Sequence, residues 1–129
     1  MRKSKIIFFA LGFLFVAADA AQARTVCYVT GRWSIRQSDG AVIQADIVKK
    51  DESNNNSELI GVARYRNETG TVSGWMHDAS VMLMINWGGH TGKYDGEVKT
   101  DRRIEGTAFD LNRPGPRVDW LTDESFGCQ

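Results

Sequence analysis

From Arg24 onward the chain alternates between apolar and polar positions, and no stretch keeps apolar residues at i, i+3, i+4 and i+7 for three turns. A period of two predicts strands rather than helices. In Arg32 to Gln37, Trp33 and Ile35 share one face, and Ser38 to Gly40 then reads as a hairpin turn. The next run places Ala41, Ile43, Ala45 and Ile47 on one side and Gln44 and Asp46 on the other, the pattern of a half-buried strand. Asp51 to Ser57 is polar and turn-prone and predicts an exposed loop.

Glu58 to Arg66 alternates again, with Leu59, Gly61, Ala63 and Tyr65 on one face, and Asn67 to Gly70 reads as a break. Strands follow over Thr71 to Met76 and, after a break at His77 to Ala79, over Ser80 to Trp87. The latter is apolar on both faces, which marks a central strand or one whose outer face is covered. Lys93 to Val98 and Arg103 to Leu111 are joined by a turn around Lys99 to Asp101. Asn112 to Arg117 holds both prolines and is expected to interrupt pairing, leaving Val118 to Thr122 as the last strand.

Eight strands, each with its turn taking roughly 13 residues, predict an all-β domain, an eight-stranded antiparallel up-and-down barrel, with a β-sandwich as the alternative. Gly61, Gly74, Gly96 and Gly106 fall inside strands, where a barrel needs sites of sharp coiling.

The first residues follow another pattern. A basic start at Arg2, Lys3 and Lys5 leads into an apolar run from Ile6 to Ala18 and small residues ending at Ala21-Gln22-Ala23. This order predicts a secretory signal peptide over residues 1–23 and a single barrel domain over 24–129. A membrane anchor would need about 20 apolar residues, and Asp19 cuts this run short. The expected location is secreted or periplasmic, with no membrane insertion once the leader is removed.

In that compartment two cysteines predict one bridge, Cys27 to Cys128. It would close a loop spanning almost the whole domain and contribute on the order of 4 to 5 kcal/mol by loop entropy. The mature chain would carry a charge of about −2, a mixed-sign balance that gives no footprint for nucleic acid.

Gly31-Arg32-Trp33 at the first strand, Gly74-Trp75-Met76, and Thr91 to Val98 resemble elements of the calycin group, the lipocalin-like and avidin-like barrels. The resemblance implies a small barrel and a binding role. The asparagine, serine and tyrosine that contact biotin in the avidin group have no counterpart in the first hairpin beyond Ser34 or Ser38, so it does not extend to biotin.

Chemistry-bearing motifs are sparse. His90, between a glycine pair and Thr91-Gly92, would need Asp95 to act as a base or metal ligand, yet no metal-type spacing surrounds it and a solvated turn explains it as well. No nucleophile elbow is present. Asn55 and Asn67 begin glycosylation sequons. Among the tryptophans, Trp33 and Trp87 read as core, Trp75 as lying at a pocket or an exposed patch, and Trp120 as undecided.

The sequence thus predicts a non-catalytic barrel that takes a modest apolar or aromatic ligand at one mouth, with Tyr65, Trp75, His90, Asp95 and Trp120 as candidate contacts and no cofactor or metal. The alternatives are a protein-interaction or inhibitor module using Met82 and Met84, with a homo-oligomer among its forms, and an enzyme built on His90 and Asp95.

Overall fold

The computed structural model describes residues 25–129. The leader expected over residues 1–23 lies outside them. Ten strands follow in order: β1 (Cys27–Tyr28), β2 (Gly31–Gln37), β3 (Val42–Lys49), β4 (Asn56–Tyr65), β5 (Glu68–His77), β6 (Ser80–Asn86), β7 (Thr91–Val98), β8 (Ile104–Asp110), β9 (Arg113–Thr122) and β10 (Gly127–Cys128). Strands β2 to β9 form a closed antiparallel barrel in sequence order, and β1 pairs with β10 as a separate ribbon. The up-and-down barrel expected from the alternation is therefore the observed fold, and the sandwich is not.

Alternation sets which side chains fill the barrel. Trp33, Ile35, Ile43, Ala45, Ile47, Leu59, Ala63, Val72, Met76, Val81, Leu83, Ile85, Tyr94, Ile104, Ala108 and Trp120 point inward and are buried. Eight strands leave an interior that such side chains can fill. Glycines make room where two strands must approach a ring. A Cβ on Gly96 would come within 2.7 Å of Cζ2 of Trp120, and one on Gly106 within 1.8 Å of the Asp95 carbonyl oxygen.

The breaks are shorter than the residue pattern suggests. Asn67 to Gly70 is not an interruption: Tyr65 pairs with Glu68, and only Arg66 and Asn67 turn the chain. Arg66 supports this tight reversal with a left-handed φ of 55°, a conformation that glycine, asparagine or aspartate takes more easily. The next reversal likewise needs only Asp78 and Ala79, since His77 pairs with Ser80.

The prolines gave the larger error. Strand β9 begins at Arg113, not Val118, because Asp110 pairs with Arg113 while Ala108 pairs with Val118. The extra residues bulge out of the ladder. On its other side β9 pairs with β2 only from Trp120 to Thr122, so Pro114 and Pro116 sit where no partner strand requires an N–H.

That seam between β2 and β9 is the shortest in the barrel, with three residue pairs. Side chains extend it. Ser34 donates its backbone N–H to Oε1 of Glu124 at 2.6 Å and its hydroxyl to Oε2 at 2.7 Å, and its carbonyl accepts the Asp123 N–H. Arg36 forks onto the Asp123 carboxylate at 3.1 and 2.8 Å. The carboxylate of Glu124 thus continues the ladder beyond the end of β9.

The ribbon of β1 and β10 closes the end at which β3 finishes and β4 begins. Cys27 and Cys128 face each other there, their Cα atoms 3.9 Å apart, and form the disulfide. Phe126 packs on Trp33 with ring centroids 5.4 Å apart, and Trp33 donates its indole N–H to the Val29 carbonyl at 2.7 Å. Lys49 is only 2 % exposed. Its ammonium donates to the carbonyls of Cys27 at 2.8 Å and Glu52 at 3.0 Å, which gives the buried charge partners. No helix among the described residues is long and apolar enough to cross a membrane.

Candidate functional site

In an up-and-down barrel alternate hairpin loops share an end. With the ribbon over one end, the other is formed by the turns after β2, β4, β6 and β8. Two adjoining depressions open there, of about 310 and 240 Å³, and both are lined by Gln37, Asp39, Trp87, His90 and Tyr94. Phe109, Asp110, Pro116 and Val118 border the first, and Ala41, Tyr65 and Glu68 the second.

The base of this mouth is a polar relay held by the core. Tyr94 faces inward and packs edge-on to Trp120 at a centroid distance of 5.8 Å. Its hydroxyl donates to Oε1 of Gln37 at 2.5 Å, and the Gln37 amide donates to the two Asp39 carboxylate oxygens at 3.2 and 3.3 Å. Burial, reinforced by the Asp39 charge, pushes the Tyr94 hydroxyl above the usual phenol range. Tyr94 therefore remains a donor at neutral pH, which fixes the direction of the relay. Asp39 is held further by the Ala41 N–H at 3.1 Å.

Aromatic groups stand around the relay. Trp87 is half-buried and rests on the core, and its backbone N–H donates to the His90 carbonyl at 2.9 Å, closing the loop that presents both residues. Arg66 lies over the Tyr65 ring and Arg117 over Phe109, at 5.3 and 4.3 Å from the centroids. Each keeps a guanidinium beside the opening.

The five candidate contacts do not assemble in one place. Tyr65 and His90 are at the mouth. Trp75 and Asp95 are on the outer wall, opposite Met82 from either side. Trp120 is inside the barrel, 2 % exposed, donating its indole N–H to the Thr107 carbonyl at 3.0 Å. His90 and Asp95 cannot form a pair, because Tyr94 turns inward and the next residue in the strand must turn outward. Asp95 instead lies 3.8 Å from the Lys93 ammonium. His77 lies near the opposite end, hydrogen-bonded to Asn56 and 3.6 Å from Asp78. Among the described residues no three histidine, cysteine, aspartate or glutamate side chains come together in a way that would hold a metal ion.

Gln37, Asp39 and the second role of Trp87 were missed. Asp39 reads as a turn residue and Trp87 as core, and each description is correct locally. The available clue was the strand count: in an eight-stranded meander the turns after β2, β4, β6 and β8 must converge.

The fold and site together define a small closed β-barrel with one end covalently plugged and one aromatic, polar mouth. No family model, no curated protein and no solved structure matches the chain.

Proposed function

We propose that the protein is an exported binding barrel of calycin type that receives a small ring-bearing ligand at its open mouth. The observation that carries this reading is the asymmetry of the two ends: one is filled by Phe126, Lys49 and the disulfide ribbon, while the other presents Trp87, Tyr65 and the Gln37–Asp39 pair to solvent. Because side chains fill the interior, the ligand sits across the mouth and does not enter the barrel. Trp87 and Tyr65 offer apolar faces, and Gln37, Asp39 and His90 offer hydrogen-bonding groups that fix orientation. The disulfide supports an oxidising compartment, in keeping with the leader pattern.

Covering one ring face buries on the order of 100 Å² of apolar surface, about 2.5 kcal/mol, so single-ring fragments should bind weakly, with Kd on the order of 10 mM. The test is a titration of the isotopically labelled protein with indole, phenol and methyl glucoside, followed by amide and side-chain shifts. Shifts confined to residues 37–41, 65–68 and 87–94, and lost in Trp87→Leu, are expected. Shifts spread evenly over the surface, or none at the mouth with any fragment, would remove the reading.

A further inference from the structure

The outer wall carries a second depression, which meets the mouth only at Gln37. It runs over β5 to β9 and on to β2 in two adjoining parts of about 490 and 550 Å³ that share Lys99, Glu105, Gly106 and Thr107. Register gives it its shape. Gly96 and Gly106 pair at inward-facing positions, so on the outer wall only backbone lies between the Asp95–Thr107 and Glu97–Glu105 pairs. Trp75 and Met82 flank the depression on one side and Leu121 on the other. Trp75 is 48 % exposed, and its ring has no aromatic or cationic partner among the described residues.

The charges along the trough do not balance. Glu97 lies directly opposite Glu105, a cross-strand pairing of like charges that destabilises an antiparallel sheet. Neither carboxylate enters an ion pair or hydrogen bond among the described residues, and neither does that of Asp119. Arg36, at the far end, is already occupied by Asp123 at 2.8 Å. Lys99 is left as the one unpaired ammonium beside Asp95, Glu97, Glu105 and Asp119.

We propose that this trough docks an extended basic segment of a partner protein, with an arginine stacked on Trp75 and a second cationic side chain set between Glu97 and Glu105. A guanidinium suits both positions, since it stacks on an indole face and forks onto carboxylates. A cation placed between Glu97 and Glu105 relieves a repulsion already present in the free protein. Trp75 on β5 and the Glu97–Glu105 pair on β7 and β8 are two to three strand spacings of about 4.8 Å apart, roughly 10 to 14 Å, which about four extended residues span before the barrel wall curves away. The apolar side chains along its walls fit the residues between the basic ones.

The probe is a fluorescein-labelled hexapeptide alternating arginine and leucine, titrated by anisotropy against the disulfide-bonded protein. Saturable binding that weakens with salt is expected, and Trp75→Ala should weaken it about tenfold, in line with one desolvated cation–π contact. Glu97→Gln with Glu105→Gln should weaken it at least as much and flatten the salt dependence. The same double variant should melt at a higher temperature than the parent, which separates lost binding from lost folding. Trp87→Leu, at the mouth, should leave peptide binding unchanged, so this proposal and the mouth reading fail independently. Absence of binding, equal binding of a peptide with glutamate in place of arginine, or binding that survives both wall variants would overturn the proposal. So would spermine binding as tightly as the peptide, or self-association by sedimentation that Trp75→Ala abolishes, since each names a different occupant.

Discussion

Replacing Glu124 by alanine should open the barrel at its weakest seam. Strand β9 pairs with β2 over three residues only, and beyond Thr122 the Glu124 carboxylate takes the place of a backbone acceptor for Ser34. The two hydrogen bonds are not equivalent. If the carboxylate is removed, the Ser34 hydroxyl can turn its proton to Oε1 of Gln44, 3.1 Å away. The backbone N–H has no such alternative in a residue that is 8 % exposed. A buried donor left unpaired costs about 1 to 3 kcal/mol, and the hydroxyl exchange adds less than about 1 kcal/mol, giving roughly 1 to 4 kcal/mol in all. For a domain of this size that corresponds to a fall in Tm of roughly 5 to 20 °C.

Glu124→Gln keeps one acceptor oxygen and should lose about half as much. The assay is thermal unfolding followed by circular dichroism at pH 7 with the disulfide intact, paired with hydrogen exchange at the Ser34 amide. A Tm within about 3 °C of the parent, with Ser34 protection unchanged, would show that the seam does not depend on this carboxylate.

Two further outcomes follow from the interior. Because the Tyr94 hydroxyl is held above its ordinary value by burial, the unfolded chain releases that proton first as pH rises past about 10, so folding stability falls from there upward. In Tyr94→Phe this alkaline loss should shrink, measured as urea unfolding midpoints between pH 8 and 11; an unchanged slope would mean that another group controls it. Replacing Cys27 by serine should lower the Tm markedly, with about 5 kcal/mol as an upper figure for the loss, while far-ultraviolet circular dichroism retains the barrel signal. Loss of that signal at 20 °C would show instead that β2 to β9 cannot close without the ribbon.

Alternation made the barrel legible because a one-residue shift in any strand would expose a row such as Val81, Leu83 and Ile85. The boundaries were less so. Arg66 turns the chain in a conformation that sequence preference assigns to other residues, and Pro114 and Pro116 are tolerated only because β2 has already left β9 on that side. Half of the mouth was visible, Tyr65 and His90, since each carries recognisable chemistry. The Tyr94–Gln37–Asp39 relay was not, because it joins residues 57 positions apart whose meeting depends on barrel closure. Trp120 could not be assigned a side until Gly96 showed where its ring fits.

The disulfide at the plugged end also has a mechanical consequence. With Cys27 and Cys128 covalently joined, tension applied between the two ends of the described chain runs through one sulfur–sulfur bond and bypasses the barrel. In a stretching experiment on residues 25–129 the oxidised protein should lengthen by only the few residues outside the bridge, and the strands should carry load only after a reductant cuts that shunt.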